Sequence, residues 1–325
     1  MKIKYAIFHH NDLDGVASAA ILKDALEKSG VKVVVLEHVS YDVLPKWEKE
    51  NYFSGLTKKG IKIAITDFMF HPAADIWFDH HNAPFKKEEW QKEFKEAPFK
   101  RWQPEYKSCT HQVLDACVRE LKYKAPRHIK ELMKWADIID GAGYKSARQA
   151  LTLTIPAIGL TRAIGALEST GKPLVGIVRA LQSGGIAEAA DLPSVHRITE
   201  QLKKGQEEVA KFYKTNTRVE DDGRIALIDE SEIYGRQQRY YPYYFFPKSF
   251  YGVRYFFQPD VKMWHFSVGW NVWNKPKNGV DIGKLLRKVD SNGGGHQQVG
   301  GMELKTKEAA QAALKKILAA LSKKG

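Results

Sequence analysis

Three short stretches of this 325-residue chain crowd together side chains that could do chemistry as a set. Residues 9–15, "HHNDLDG", put His9 and His10 beside Asp12 and Asp14; residues 65–68, "ITDF", carry Asp67; residues 79–81, "DHH", carry Asp79, His80 and His81. Crowded carboxylates raise one another's energy unless a positive centre is held between them. Carboxylates mixed with imidazoles suit hard or borderline divalent cations such as Mn2+ or Mg2+. A D-x-D or a His-His pair alone is common, so the conjunction carries the reading. A fourth stretch, "NGGGHQQVGG" at residues 292–301, has five glycines in ten residues. Consecutive glycines let backbone N–H groups approach an anion, and His296 can donate to a phosphoryl oxygen.

The elements that must position these residues follow from hydrophobic patterning. "KIKYAIF" (residues 2–8), "VKVVVLEHV" (31–39), "IKIAIT" (61–66) and "DIWF" (75–78) read as buried strands, and residues 13–28 have helical spacing. Short apolar runs with an intervening helix predict a parallel sheet. The acidic and imidazole residues then sit at successive strand exits, where open parallel sheets bind ligands. Residues 84–107 read as charged, aromatic, helical and peripheral, and residues 108–216 as nearly all helix. The expected layout is a first domain over 1–194, a linker helix over 195–216 and a smaller α/β domain over 217–325. That last domain is expected to have strands near 224–229, 251–257 and 263–270, a helix from Ile282 and a terminal helix from Thr306.

Composition narrows the partners. The chain has 51 Lys plus Arg against 38 Asp plus Glu, a net charge of +13, and residues 221–325 hold 17 of the bases against 10 of the acids. A polyanionic partner is expected. "YGRQQRYYPYYFFPKSFYGVRYFF" (234–257) interleaves rings with Arg236, Arg239, Lys248 and Arg254, a composition that suits stacking on single-stranded nucleic acid. A share of the rings must also fill a core, and alternation in "GVRYFF" predicts about half of them buried. No apolar run approaches the roughly 20 residues of a membrane span, and no secretory pattern opens the chain, so a cytoplasmic location without membrane contact is expected. The two cysteines, Cys109 and Cys117, are too far apart along a helix for a disulfide and read as reduced packing thiols.

Taken in order, "NDLDG", "ITDF", "DHH", "ADIIDGAGY" and "SNGGGHQQVGG" make the chain resemble the DHH phosphoesterase superfamily, most closely its oligoribonuclease branch and more distantly RecJ-type exonucleases. The resemblance implies a parallel-sheet α/β domain holding two divalent ions and a smaller α/β domain that closes a phosphate-binding loop over the cleft. It implies that His10, Asp12 and Asp67 hold one ion and that Asp14, His80 and Asp140 hold the other, with Asp67 bridging. His9 is the alternative to His10, and Asp137 the alternative to Asp140. His81 would face the scissile phosphate, and Asp79 would orient a ligating histidine through its second ring nitrogen. Gly293, Gly294, Gly295 and His296 would grip a substrate phosphate. Relatives carry an arginine after the serine of the preceding strand, whereas "HFSVGWN" has none, which leaves Asn271 or Arg287 for that contact.

Two ions about 3.5–4 Å apart can activate a shared water and clamp both reacting oxygens. The implied activity is hydrolysis of short single-stranded RNA or DNA to nucleoside monophosphates. Cyclic nucleotide or linear dinucleotide phosphodiesterase and bisphosphorylated-nucleoside phosphatase are alternatives within the family. A nucleic-acid-binding module with a vestigial site is the alternative outside enzymes. A homodimer is compatible with the sequence.

Overall fold

The computed structural model describes residues 2–168 and 171–322. Strand β1 (Lys4–His10) is almost wholly buried because it lies inside a sheet, with β2 (Lys32–Val39) on one side and β3 (Ile61–Thr66) on the other. β4 (Ala74–Asp79) and β5 (Lys100–Trp102) complete a sheet of order β2-β1-β3-β4-β5 in which every pair is parallel. The expected parallel sheet is therefore observed, with two differences. β1 continues through both histidines instead of ending at Phe8, because His9 pairs with Thr66 and His10 with Val39. Residues 84–107 supply a short helix, Glu88–Glu93, and the edge strand β5. A three-residue strand paired on one side leaves no periodic signal to read.

Both faces of this sheet are covered. Tyr5, Ile7, Ala64 and Phe78 pack against the helix Leu13–Lys28 and the helices that follow Ser108. Ala6, Phe8, Ile65 and Trp77 pack into an aromatic cluster with Trp47, Phe53, Phe68 and Trp90. The helical stretch comprises Cys109–Leu121, Arg127–Asp140, Ala147–Leu151, Pro156–Glu168, Val175–Ala190 and Pro193–Asn216. The helix Val175–Ala190 is kinked at Gly185, whose φ is 75°. Cys109 and Cys117 are buried free thiols on one helix.

Two units make up the chain: Met1–Tyr144 with Leu153–Gln201, and Lys145–Thr152 with Leu202–Gly325. The division falls within the helix Pro193–Asn216, upstream of the boundary expected near Thr217, and residues 145–152 join the second unit. That unit holds a sheet of order β10-β11-β9-β8-β7-β6, formed by β6 (Arg218–Glu220), β7 (Ile225–Asp229), β8 (Tyr251–Gln258), β9 (Met263–Trp270), β10 (Gly294–Gly295) and β11 (Val299–Leu304). One face buries Leu227, Val253, Phe266, Val268 and Met302 against the helices Ile282–Val289 and Lys307–Ser322.

Of the twelve rings in residues 234–257, four are buried, seven half-buried and one exposed, and in "GVRYFF" all three are half-buried. Tyr240, Tyr241, Tyr243 and Tyr251 are buried. Arg254 is not an open cation: its guanidinium donates to both oxygens of the fully buried Glu230 at 2.7 and 2.9 Å, and Tyr213 also donates to Glu230. Arg236 pairs with Glu208 at 2.9 Å.

Candidate metal centre

Within the first unit the C-terminal ends of β1, β3 and β4 bring the acidic stretches together. Adjacent strand residues point to opposite faces. His9 therefore follows Tyr5 and Ile7 inward, fully buried, with Nδ1 donating to the His10 carbonyl at 2.7 Å. Burial pushes the His9 imidazole down to about 4, so it is neutral at pH 7. His10 follows Phe8 and stacks on Phe68, ring centroids 5.9 Å apart, with its Nδ1 at 3.2 Å from Asp12 and 3.9 Å from Asp67. The geometry brings His10, and not His9, to the carboxylates.

Asp12 caps the helix Leu13–Lys28, accepting the Gly15 N–H at 3.0 Å. That turn needs glycine, since a Cβ at residue 15 would stand 2.4 Å from the His10 carbonyl oxygen. Burial alone would raise the Asp12 carboxyl, but His10 and the Gly15 N–H outweigh it and hold the group at about 2. Asp14, two residues on, crosses to the start of the helix Cys109–Leu121. It accepts the N–H groups of Cys109 (2.6 Å) and Thr110 (2.8 Å) and the Thr110 hydroxyl (2.5 Å). This second duty is not visible in the D-x-D spacing.

Asp67 stands between two sets of donors. Its Oδ2 lies 3.9 Å from His10 Nδ1, and its Oδ1 lies 3.6 Å from His80 Nε2. The residue adopts a left-handed backbone, φ 59°, and its side chain is 1% exposed. Neither oxygen has a hydrogen-bond partner, nor do His10 Nδ1 and His80 Nε2, all buried. Burial, then the carboxylates of Asp14, Asp12, Asp140 and Asp79, push the Asp67 carboxyl well above its ordinary range. Burial also raises Asp14, against the pull of His80. Buried polar atoms are ordinarily paired, so a cluster of orphans converging from three strands marks a place for a positive ion.

His80 donates Nδ1–H to the Tyr106 carbonyl at 3.1 Å, which leaves Nε2 as the lone-pair nitrogen at 3.5 Å from Asp14 and 3.3 Å from Asp140. Asp140 ends the helix Arg127–Asp140, while Asp137 is committed elsewhere. Asp137 accepts the Ser108 hydroxyl at 2.6 Å and the His111 ring N–H at 2.9 Å. Asp79 orients His81 instead of the expected ligand His80: it accepts the His81 backbone N–H (2.9 Å) and the ring Nδ1–H (2.7 Å). Burial opposes charge on His81, yet Asp79 and the other carboxylates carry its imidazole up to about 9.

Among the described residues, three trios bring a ligand atom from each member within 4.8 Å of the others: His10, Asp12 and Asp67; Asp14, His80 and Asp140; and Asp67, His80 and His81. Oxygen-rich sets with imidazole fit Mn2+ or Mg2+. Tyr41, just beyond the end of β2, adds a half-exposed ring packed edge-on to His10 at 5.4 Å. Its burial and the carboxylates of Asp67, Asp79 and Asp12 push the phenol up to about 12. The strand-exit rule that found the acids also covers this residue, which charge alone did not single out.

In the second unit the glycine loop folds back on β11, with Gly294 opposite Gly301 and Gly295 opposite Gly300. Gly295 has φ 132°, and a Cβ there would stand 2.4 Å from the Val299 carbonyl oxygen. The Gly283 N–H donates to the His296 carbonyl at 2.9 Å, while the His296 residue is exposed. Arg287 is exposed, and its guanidinium lies 3.9 Å from where a Gly294 Cβ would be. Asn271 does not suit the expected phosphate contact. It is 1% exposed, its amide donates to the carbonyls of Pro247 and Ser249, and its oxygen accepts the Trp273 N–H. No donor is left for a ligand.

No protein-family model and no curated protein matches the sequence. Solved structures do. A pGpG-specific phosphodiesterase, PggH from Vibrio cholerae, aligns over 100% of both chains with a TM-score of 0.69 at 18% identity. The chain has the fold of DHH-domain proteins. The DHH domain of a protein described as a member of a ribosomal-protein family aligns with a TM-score of 0.59 at 14% identity, over 98% of this chain and 87% of that one. RecJ from Thermus thermophilus, solved with Mn2+, aligns with a TM-score of 0.54 at 13% identity, over 99% of this chain and 52% of RecJ. These are likenesses of fold. No helix among the described residues is long and apolar enough to cross a membrane.

Proposed function

We propose that the chain is a metal-dependent phosphodiesterase that hydrolyses short single-stranded oligonucleotides, linear dinucleotides included, to nucleoside monophosphates. The observation that carries this reading is Asp67, whose two buried, unpartnered oxygens each face a different carboxylate and imidazole trio. His10, Asp12 and Asp67 would hold one divalent ion, and Asp14, His80 and Asp140 the other, with Asp67 serving both. RecJ structures with the same fold contain Mn2+ or Mg2+, which supports either ion for this set. When bound, such ions lower the pKa of an attacking water and offset charge on the phosphoryl oxygens.

The chain's own residues supply the remainder. Asp79 accepts the His81 Nδ1–H and favours the imidazolium, so its Nε2–H would be the donor offered to a phosphoryl oxygen. Gly293, Gly294, Gly295 and His296, with Arg287 beside them, would hold a substrate phosphate through backbone N–H groups and cationic donors. The net charge of +13 favours a polyanionic substrate.

A dinucleotide as the preferred length is supported by the end-to-end likeness to an enzyme specific for pGpG. End-labelled RNA and DNA, from dinucleotides to roughly 20-mers, incubated with Mn2+ at several salt concentrations, test the proposal. Monophosphate products with fastest turnover and shallowest salt dependence on the shortest substrates are expected. Binding without Mn2+-dependent turnover would instead identify a nucleic-acid-binding module.

A further inference from the structure

On the second-unit sheet, the face opposite the helices Ile282–Val289 and Lys307–Ser322 has a feature that the metal chemistry does not use. Phe256 on β8, His265 on β9 and Glu303 on β11 are directly opposite one another in register, forming a row across three strands. Phe256 and His265 stack nearly parallel, 4.9 Å between centroids and 9° between planes. His265 Nδ1 lies 3.3 Å from Oε1 of the exposed Glu303, while His265 Nε2 is buried without a hydrogen-bond partner. Beside this row is a cavity of about 570 Å³ lined by Met263, His265, Phe266, Asn292, Gly301, Met302 and Glu303. That volume is in the range of small-ligand pockets.

Its position gives it meaning. One register step along β11 from Glu303, Gly301 pairs with Gly294 of the glycine loop, and Asn292 belongs to that loop. A nucleotide whose phosphate rests on the loop would have its base within reach of the cavity. The lining is also selective. A carboxylate only accepts hydrogen bonds. Guanine presents N1–H and the N2 amino group side by side, two donors for two carboxylate oxygens. Adenine puts the N1 acceptor beside its amino group, cytosine the N3 acceptor, and uracil flanks its one N–H with carbonyls, so each sets a lone pair against Glu303. The His265 and Phe256 stack, with the Met263 thioether, supplies an apolar and polarizable surface for a ring.

We propose that this cavity is a guanine subsite, in which Glu303 accepts from the guanine edge, Asn292 meets the base from the loop side and His265 positions both carboxylate and ring. The inference rests on the phosphodiesterase reading for its biological sense but is tested without it. GMP, AMP, CMP and UMP are titrated by calorimetry into the full-length chain in chelating buffer, where neither metal nor turnover is needed.

Wild type is expected to bind GMP at least about 10-fold tighter than the other three, the discrimination of one bidentate pair. In Glu303→Gln the amide offers one donor and one acceptor, so GMP affinity falls about 10-fold and the gap to AMP closes. His265→Ala weakens GMP about 10-fold through lost stacking, with the thermal unfolding midpoint reporting whether the fold is kept. Equal binding of all four mononucleotides, no binding of any, or an unchanged GMP preference in Glu303→Gln overturns the subsite. Selective GMP binding by a chain that hydrolyses nothing keeps the subsite and removes the phosphodiesterase reading. Hydrolysis of every dinucleotide at one rate, with indifferent mononucleotide binding, does the reverse.

Discussion

Asp67→Asn separates the metal reading from ordinary acid clustering. The substitution keeps side-chain volume, and asparagine tolerates the left-handed backbone at φ 59° that alanine would strain. What it removes is the acidic group that faces four other carboxylates. A carboxyl whose folded pKa is raised lowers stability from its unfolded pKa upward: the penalty is absent below about pH 4 and grows as pH rises toward the folded pKa. At pH 7 in chelator, Asp67→Asn should therefore unfold no earlier than wild type, and any advantage should vanish near pH 4.

With Mn2+ the order reverses. An ion at about 100 times its dissociation constant stabilises the native state by about 2.7 kcal/mol. For a unit of roughly 190 residues that is about 5–10 °C in melting temperature. Wild type should show that shift for each ion held, and Asp67→Asn, lacking the shared ligand, should show little of it. Differential scanning calorimetry of both proteins in chelator and in Mn2+ provides the measurement. A full Mn2+ shift in Asp67→Asn, or a loss of more than about 1 kcal/mol in chelator at pH 7, would refute the assignment of Asp67 as the bridging position.

Other expectations follow from the same contacts. Motif chemistry alone predicts that Asp14→Ala spares the fold, but the substitution removes three buried hydrogen bonds that hold the start of the helix Cys109–Leu121, so urea unfolding should show a loss of about 3–5 kcal/mol; a loss under about 1 would contradict that role. Metal content by mass spectrometry should fall in His10→Ala and Asp140→Ala and stay near wild type in His9→Ala and Asp137→Ala. Asp137→Ala should instead lose about 1–3 kcal/mol by stranding Ser108 and His111. Burial raises the Asp24 carboxyl, but hydrogen bonds from Lys28, Tyr123 and Gln182 outweigh it and hold it below its ordinary value. Its contribution is present above about pH 4 and lost as pH falls through the lower folded value, so the stability gap to Asp24→Asn should be open at pH 7 and narrow as the pH is lowered below about 4. His296→Ala should keep its bound Mn2+ and lose dinucleotide turnover; loss of metal, or unchanged turnover, would remove the phosphate-gripping role of the glycine loop.

The sequence by itself determined the parallel sheet and the gathering of His10, Asp12, Asp14, Asp67 and His80, because apolar runs with short exits leave few topologies and those exits share one edge. It could not choose between His9 and His10. The choice is made by which face of β1 each residue takes, and that depends on the register with β2 and β3. Nor could it separate Asp137 from Asp140, since helical spacing places both near one end and only the partners Ser108 and His111, brought in from another helix, occupy the first of them. Asn271 looked available for a phosphate, and Arg254 for nucleic acid as a cation in an aromatic run. The packing of the second unit commits one to the carbonyls of Pro247 and Ser249 and the other to Glu230. Residue type and spacing state which chemistry a chain can reach. Which side chains remain uncommitted is decided by long-range burial and hydrogen bonding, where each polar group must find a partner or be held ready for one.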